Sequence, residues 1–414
     1  MIQLLDSEIA AGTESVTVSG TTATITAEGV YVLTGTLQNG QIIVDAPKDA
    51  KVQLVLDGVT IHSETSAAIY VRQADKVFLT LAAGTENNLS SGDAFEAIDD
   101  NNIDAAVFSK DTLTINGAGA LTVASPAGHG VAVKGKLKIT GGSVRITAAR
   151  HGATGKNGVY ICGGSRDITA EQDGLHAEND EDTTRGMVVI SSGSVRIAAN
   201  GDGIDAGGTL EITDGDFDIV TGGGSQNAPA HQEERGGRGW FGWQDSASNS
   251  AQDTASAKGL KASGSVTLTG GDFSLDCQFD AIHSKADVNI AGGTYQIATG
   301  DDGVHADENV AISGGTIAIS ASYEGIEGQC IEISGGKIDA TASDDGLNAA
   351  GGDSGDDTRR SFMQSSGNNE LIISGGYIVI DAAGDGLDSD GNLTVTGGNV
   401  YVYGPESSNN GALD

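Results

Sequence analysis

Short runs of alternating apolar and polar residues recur along the chain and are separated by glycine-rich turns. In the stretch 303–324, residues 304–306, 310–312 and 317–319 each place two apolar side chains around a residue that faces the opposite way. The pair Gly314-Gly315 interrupts this rhythm. Alternation with a period of two is typical of β-strands with one buried face, so each such stretch predicts three short strands.

The pattern returns with a nearly constant period. Gly259, Ala281, Gly303 and Gly325 stand at the same point of successive repeats, at steps of 22 residues. A fixed period of this size is typical of a solenoid in which each repeat forms one coil. We therefore predict an all-β parallel β-helix with about 22 residues and three short strands per coil.

Aligning the repeats places like residues in columns. The first strand contributes Ile204, Leu260, Ile282, Val304, Ile326, Leu347 and Leu387. The second contributes Ile212, Leu268, Ile290, Ile312, Ile333, Ile373 and Val395. The third contributes Phe217, Phe273, Tyr295, Ile317, Ile338, Ile378 and Val400. Parallel strands that stack in register at about 4.8 Å would superimpose these residues.

The same frame predicts how the chain is divided. Residues 1–50 contain short strands that predict an N-terminal cap, and residues 51–414 would form the β-helix. Insertions interrupt the rhythm near 178–186, 222–257 and 350–369. Solenoids carry such insertions as loops on one face, often the face that binds a ligand.

The charge of the chain restricts its partners. It has 57 acidic against 22 basic residues and a formal net charge of −35. DNA, RNA and anionic membrane surfaces are disfavoured because their recognition depends on Lys and Arg. Bound cations are the expected partners. The alternative explanation of the total charge is solubility alone.

Neither the cysteines nor the apolar runs of the sequence indicate another kind of site or segment. Cys162, Cys277 and Cys330 fall in different repeat columns, which favours neither a disulfide framework nor a zinc site. No apolar run is long enough for direct membrane insertion, and no signal peptide is visible after Met1.

Acidic residues recur at one point of the repeat. We call the residue before each repeat glycine the ladder: Asp173, Asp202, Lys258, Asp280, Asp302, Glu324, Asp345 and Asp385. A second column, two residues after the glycine, contains His176, Asp205, Lys261, His283, His305, Glu327, Asn348 and Asp388. We expect both columns to point outward, with neighbours about 4.8 Å apart. Like charges at that spacing repel by about 3.5 kcal/mol at an effective dielectric constant near 20, so the ladder predicts a bound cation.

Calcium is the predicted cofactor, because it takes oxygen ligands and the Asp-rich turns offer few soft ones. The candidate ligands are Asp173, Asp202, Asp205, Asp280, Asp301, Asp302, Glu324, Asp344, Asp345, Asp385 and Asp388. We group Asp173 with Asp202 and Asp205, Asp280 with Asp301 and Asp302, and Asp344 and Asp345 with Asp385 and Asp388. The alternative is that each Asp-Gly is a turn dipeptide whose side chain caps backbone amides. The histidines His176, His283 and His305 are expected to be exposed ladder residues and not a dedicated transition-metal site.

Candidate carbohydrate contacts lie in the long insertion and beside it. Trp240, Phe241 and Trp243 would offer flat aromatic faces on which sugar rings stack, although a low-complexity loop packed on the wall is the favoured alternative. Lys258, Lys261, His283 and His305 follow directly in the ladder and its second column. They are the remaining candidate contacts.

Several phrases of the chain resemble the bacterial carbohydrate-binding domain-containing family described in cellulolytic clostridia. They are residues 54–59, 81–87, 258–262, 280–284, 322–328, 384–388 and 410–414. The resemblance covers nearly the whole chain and implies a right-handed parallel β-helix related in shape to pectate lyases. It further implies an extracellular or cell-surface protein that binds plant cell-wall polysaccharide together with calcium.

Three functions are in accord with these features. The leading hypothesis is a non-catalytic, calcium-dependent protein that binds an anionic polysaccharide such as polygalacturonate, or cellulose. The second is a polysaccharide lyase in which calcium acidifies the C5 proton of a uronate and Lys261 removes it. Charge relief within the ladder is the favoured explanation of Lys258 and Lys261. The third is an adhesin or scaffold that uses calcium for rigidity.

Overall fold

The structure is a computed structural model that describes residues 1–179, 182, 184–230, 256–350, 369–404 and 410–414. Its described part contains short strands and one short 3₁₀ helix, Ser225–Asn227. The first strands are β1 Ile2–Asp6, β2 Glu8–Ala11, β3 Val16–Ser19, β4 Thr22–Ile25, β5 Gly29–Leu37, β6 Gln41–Asp45, β7 Lys51–Ser63, β8 Ile69–Gln73, β9 Lys76–Leu81, β10 Glu86–Ser91, β11 Ala105–Ser109, β12 Thr112–Gly117 and β13 Ala120–Ser125.

The central strands are β14 His129–Val133, β15 Leu137–Ile139, β16 Ser143–Ala148, β17 Ala153–Gly155, β18 Val159–Ala170, β19 Leu175–Ala177, β20 Val188–Ala199, β21 Ile204–Ala206, β22 Leu210–Ile212, β23 Asp216–Thr221, β24 Leu260–Ala262, β25 Val266–Leu268 and β26 Asp272–Cys277. The last strands are β27 Ile282–Ser284, β28 Val288–Ile290, β29 Thr294–Thr299, β30 Val304–Ile312, β31 Thr316–Ala321, β32 Ile326–Ile333, β33 Lys337–Ala342, β34 Leu347–Ala349, β35 Glu370–Ile373, β36 Tyr377–Ala382, β37 Leu387–Ser389, β38 Asn392–Val395 and β39 Asn399–Tyr403.

Parallel pairing arranges these strands in three faces. The first face runs through β8, β11, β14, β17, β19, β21, β24, β27, β30, β32, β34 and β37. The second runs through β9, β12, β15, β18, β20, β22, β25, β28, β30, β32, β35 and β38. The third runs through β10, β13, β16, β18, β20, β23, β26, β29, β31, β33, β36 and β39. Long strands such as β18 and β20 contribute to two faces.

The registers confirm the residue columns expected from the sequence. Ile282 pairs with Val304 in the first face, and Ile290 pairs with Ile312 in the second. Phe273 pairs with Tyr295 in the third. Each layer therefore superimposes its apolar positions on those of the next, as the period-two pattern requires.

The pairing corrects the predicted fold class. We expected a right-handed parallel β-helix built from three separate short strands per coil. Instead, the parallel pairs β7–β9–β12–β15–β18 and β18–β16–β13–β10–β7 close into a ring of eight strands, with the other strands outside it. By its pairing this ring is a closed parallel β-barrel. It closes because β7 and β18 each turn a corner and hydrogen-bond in two faces.

Glycines make these corners possible. Within β7, Gly58 has a φ of 72°, and within β18, Gly163 and Gly164 have φ values of 108° and 82°. Backbone with positive φ is accessible to glycine at low energy and costs other residues more. A strand can therefore pass from one face to the next without ending.

Only two strand pairs among the described residues are antiparallel, and both lie near the N-terminus. They join β1 with β2 and β3 with β4. β1 also pairs in parallel with β5, and β4 with β6. The first fifty residues thus connect directly to the layers that follow.

Inward side chains of the three faces form one long apolar core. Phe217, Phe273 and Tyr295 stack inside it with ring centroids 4.5 Å and 4.7 Å apart. Cys277 is buried in the same core as a free thiol. In the described part of the chain, no helix is long and apolar enough to cross a bilayer.

The aromatic stack yields a first prediction. Phe273→Ala should lower the free energy of unfolding by about 3–5 kcal/mol, because it removes a buried ring between two stacked neighbours. The measurement is urea unfolding followed by circular dichroism. The control is Tyr377→Ala in the same face, whose side chain is exposed and whose loss should cost less than about 1 kcal/mol. Equal losses in both variants would contradict the packing.

Candidate functional site

The ladder follows the first face, one turn before strands β19, β21, β24, β27, β30, β32, β34 and β37. We expected its acidic side chains to point outward, but Asp173, Asp202, Asp280 and Asp302 are buried, and Glu324, Asp345 and Asp385 are half-buried. Asp202 and Asp280 are each 1% exposed, and Asp302 is 5% exposed. Each aspartate carboxylate lies against the turn of the next layer and accepts a hydrogen bond from it.

One oxygen of each aspartate in the ladder accepts a hydrogen bond from a backbone N–H of the following layer. The N–H of Asp202 donates to Asp173 Oδ1 at 2.8 Å, and the N–H of Lys258 donates to Asp202 Oδ1 at 2.8 Å. The same bond recurs from Asp302 to Asp280, from Glu324 to Asp302 and from Asp385 to Asp345. The ladder is thus a chain of side-chain-to-backbone hydrogen bonds, which hold carboxylate oxygens in place.

The second carboxylate oxygen pairs with a cationic or imidazole group in the central layers. His176 Nδ1 lies 2.9 Å from Asp173 Oδ2, and Lys261 Nζ lies 2.8 Å from Asp202 Oδ2. Ion pairs also join Lys258 and His283 to Asp280, and His305 to both Asp302 and Glu327. Buried charges of opposite sign that are paired and hydrogen-bonded can remain ionised.

The four residues of the ladder and its second column that we predicted as carbohydrate contacts take part in these ion pairs. The side chains of Lys258 and Lys261 are 20% exposed, and those of His283 and His305 are 11% and 12% exposed. Their polar atoms face carboxylates of the ladder. A sugar would have to break those ion pairs to bind them.

Lys261 does not have the protonation state of a general base. Burial alone would lower the pKa of Lys261, but the charges of Asp202 and Asp205 outweigh burial and raise the pKa. A general base must be deprotonated near the working pH. In this structure Lys261 is therefore a counter-ion of the ladder carboxylates, as expected if it relieves their mutual repulsion.

Two histidines that sequence reasoning missed continue the ladder toward the N-terminus. His129 and His151 precede Gly130 and Gly152, so the repeat frame itself held the signal. Their rings and that of His176 stack, with centroids 5.1 Å and 4.3 Å apart. Burial, with neighbouring positive groups, lowers the pKa of His129 to about 3, so this ring is neutral.

The C-terminal end of the ladder is acidic throughout. In the described part of the chain, no ion pair with Lys, Arg or His reaches Asp345, Asp385 or Asp388. Burial and the neighbouring carboxylates raise the pKa of Asp345 to about 6, and burial also raises the pKa of Asp388. Negative charge is therefore uncompensated here, in contrast to the central layers.

Carboxylate oxygens converge at two points that would suit a hard cation. Asp280, Asp301 and Asp302 have oxygens within 4.8 Å of one another, and so have Asp385, Asp388 and Asp414. The first group is one that we predicted, but Asp280 already pairs with Lys258. The second group includes Asp414, which the sequence did not indicate because it lies outside the ladder.

The other predicted acidic groupings differ from the structure. Asp173 gathers His151 and His176 instead of forming an all-oxygen group with Asp202 and Asp205. Asp344 and Asp345 do not belong to the C-terminal group of three. Glu324 accepts hydrogen bonds from the Asn348 amide at 3.0 Å to both carboxylate oxygens.

A cation-lined groove of about 460 Å³ opens beside the histidine stack. Lys134, Arg150 and Lys156 line it together with the three histidines of the stack, and Asp104 and Glu178 are its acidic residues. Arg150 lies 3.5 Å from Asp104 and remains 44% exposed. Sequence reasoning missed this groove because its lysines and arginine come from separate turns that only the stacking of layers brings together.

The aromatic candidates Trp240, Phe241 and Trp243 lie outside the described residues, as do most of the predicted insertions 222–257 and 350–369. The groove and the ladder therefore make up the candidate site within the described chain.

Comparison with known proteins assigns the class of protein. The chain is similar to a solved structure described as a polysaccharide lyase-like protein from C. thermocellum, gadolinium derivative, with 37% sequence identity and a TM-score of 0.52. The match covers 54% of this chain and 91% of that one. This likeness relates the fold of this chain to that of the polysaccharide lyase-like protein.

The family follows from a longer match. Residues 19–303 match the model of the family described as carbohydrate-binding domain-containing protein, so the chain belongs to that family. A carbohydrate-binding domain-containing protein of Acetivibrio thermocellus is 40% identical over 137 residues, which are 33% of this chain. The match spans about half of that relative, 48% of its length. The resemblance seen in the sequence is thereby confirmed.

The buried acids yield a second prediction. Burial first, and then the charges of Asp302 and Glu327, raise the pKa of Glu324 to about 9. The folded state holds this proton where the unfolded state has released it, so stability falls as pH rises from about 4.5 to 9. Glu324→Gln should flatten this fall by at least about 1 kcal/mol, the free energy of a single unit of pKa shift.

Urea unfolding at pH 5 and at pH 9 measures this difference, in the absence of divalent ions. The matched control is Glu332→Gln, an exposed glutamate on the same strand β32. It should retain the wild-type slope. Parallel pH profiles for wild type and Glu324→Gln would show that Glu324 is ionised in the folded protein.

Proposed function

We propose that this protein binds an acidic cell-wall polysaccharide of the polygalacturonate type in the groove lined by Lys134, Arg150 and Lys156. The observation that carries the proposal is a local excess of cations on a chain of net charge −35. The hydrogen bonds of His176 to Asp173 and Asp205 outweigh burial and raise its pKa to about 10, so its positive charge offsets part of the negative charge of these two carboxylates beside the groove. Carboxylates of a uronate chain would pair with these groups.

The spacing of the groove supports a repeating ligand. Lys134 and Lys156 occupy the same position of consecutive layers, four residues after Gly130 and Gly152. Layers paired in parallel lie about 4.8 Å apart, so the cations form a row along the stacking direction. A polymer that carries one carboxylate per sugar would meet several cations of such a row, whereas a neutral glucan would not.

Calcium is the proposed second component of binding. The group Asp385, Asp388 and Asp414 offers only oxygen atoms, and burial raises the pKa of Asp388, a sign that its charge lacks compensation. A hard cation with about six to eight oxygen ligands fits such a group. The gadolinium derivative of the related structure supports this choice, since gadolinium is also a hard cation that prefers oxygen.

Bound calcium would in addition reconcile the acidic surface with an acidic ligand. An ion held by Asp385 and Asp388 would attract a uronate carboxylate to a part of the protein that otherwise repels it. Cell-wall polysaccharides lie outside the cell, so the proposal places the protein at the cell surface or in the medium.

The groove gives a third prediction. The double variant Lys134→Gln/Lys156→Gln should weaken binding to polygalacturonate by about fivefold or more, because each lost ion pair contributes up to about 1 kcal/mol. Affinity electrophoresis in gels with and without polygalacturonate measures the change. Lys138→Gln is the control, since Lys138 is an exposed lysine of the second face.

Three outcomes are informative. Equal binding by the wild type, the double variant and the Lys138→Gln control would reject the groove. Binding to cellulose that is indifferent to these lysines would favour a neutral glucan ligand. Calcium-dependent melting without any glycan binding would favour a scaffold.

The carboxylate group gives a fourth prediction. Asp388→Asn should weaken calcium binding by about tenfold or more, a loss of about 1.4 kcal/mol, because one charged ligand becomes neutral. Isothermal titration of the metal-free protein with calcium measures it. Asp381→Asn, an exposed acid of strand β36, should bind calcium as the wild type does. Equal affinity in all three proteins would remove the C-terminal group from the proposal.

A further inference from the structure

We propose that the groove at Lys134 and Lys156 continues along the first face to a second cation-lined cavity, and that one acidic polysaccharide chain occupies both. The second cavity has a volume of about 390 Å³ and is lined by Lys48, Arg72 and Lys110. This inference rests on the proposed function, and it makes the length of the bound chain a determinant of affinity.

Four cationic residues occupy the same position in four consecutive layers of the first face. We call them the cation row: Arg72, Lys110, Lys134 and Lys156. The backbone N–H of Lys110 donates at 3.0 Å to the carbonyl of Val71, the residue before Arg72. The equivalent bonds of Lys134 and Lys156 to the preceding layer are each 2.8 Å long. The four side chains therefore start from equivalent points, and the row spans three layer spacings, about 14 Å.

The centre of the cation row lacks counter-ions. Lys110 and Lys134 are exposed, and neither forms an ion pair with any of the described residues. The Nζ of Lys134 lies 5.5 Å from the centre of the Phe108 ring. Like charges in adjacent layers repel one another, and an anionic chain that lies along the row would relieve this repulsion.

Arg72 is held in a fixed orientation at the far end of the row. Its Nε donates to Asp99 at 2.9 Å, and its Nη1 donates to Asp45 at 3.0 Å. A guanidinium has five N–H donors, so these two bonds leave others for a ligand. Because the two aspartates balance the charge of Arg72, its part is to orient a carboxylate, and the attraction comes from Lys48 and Lys110.

The acidic residues of the second cavity leave its lysines available. They are Asp75 and Asp111. The Asp111 carboxylate accepts the backbone N–H of Ala74 at 3.0 Å. Lys48 and Lys110 are exposed, and in the described part of the chain no ion pair joins either lysine to these acids.

Acidic residues end the cation row on both sides. Thr154 pairs with His176, which places Glu178 in register with Lys156. At the other end Asp45 lies against Arg72. An acidic chain therefore gains contacts with each layer up to the fourth, and a longer chain gains no more from this row.

The test is isothermal titration of the full chain with oligogalacturonates of increasing length. The affinity of the wild type should rise with length and then level off once the ligand covers the row. In Lys48→Gln/Lys110→Gln it should level off at a shorter length, with binding of the longest oligomers weakened about fivefold or more, because two ion pairs are lost. The remaining binding should also fall less steeply with added salt, because fewer cations meet the ligand.

Lys285→Gln is the matched control. Lys285 is exposed and occupies the same position of a later layer, where its N–H donates to the carbonyl of Ala262 at 3.1 Å. Its neighbours in that column are Ser263 and Asp307 instead of cations. This variant should bind every oligomer as the wild type does, and a loss equal to that of Lys48→Gln/Lys110→Gln would overturn the second cavity by showing a general effect of charge.

Two further outcomes separate this inference from the proposed function. Weakened binding in Lys134→Gln/Lys156→Gln together with wild-type binding in Lys48→Gln/Lys110→Gln would overturn the second cavity and leave the groove as the binding site. Failure of the wild type to bind any of the oligomers would overturn both.

Discussion

Parallel backbone hydrogen bonds join each layer of this chain to the next in a nearly constant register, and the other features depend on that register. Because equivalent residues are superimposed, an apolar position in one layer continues as an apolar column through the core. The stack of Phe217, Phe273 and Tyr295 is one result. The same geometry superimposes charged residues. The register that favours the core therefore also places like charges close together in the ladder.

The ladder solves this problem in a way that changes along the chain. One oxygen of each Asp accepts a backbone N–H of the next layer, which both satisfies a buried polar group and reinforces the stacking. The second oxygen meets histidine or lysine in the central layers. At the C-terminal end the carboxylates lie near one another, and burial together with these neighbouring charges raises the pKa of Asp345.

This variation divides one continuous surface into chemically different parts. Histidines and cations gather around the groove near residues 129–178, paired charges occupy the middle, and carboxylates occupy the end. An anionic polymer and a hard cation would each select a different part. The membership of the chain in a carbohydrate-binding domain-containing family gives the groove its functional interest.

The pattern of residues along the chain was sufficient to predict the β-strands, their columns and the position of the ladder. Alternation with period two and a fixed repeat length are local properties, so pairs such as Ile282 with Val304 could be predicted from spacing alone. The convergence of Asp280, Asp301 and Asp302 followed from the same spacing.

The closure of eight strands into a ring, the burial of the ladder and the partners of its carboxylates depend on contacts between layers and could not be predicted from the sequence. Strand β7 turns a corner at Gly58 without ending, and the sequence does not distinguish such a corner from the end of a strand. Asp173 could face a calcium ion, a lysine or two histidines, and its environment depends on how three layers superimpose. The groove likewise joins Asp104 to Arg150, which are distant in the chain. Hydrophobic periodicity reports which side of a strand is buried, but the direction of each polar group follows from contacts between layers.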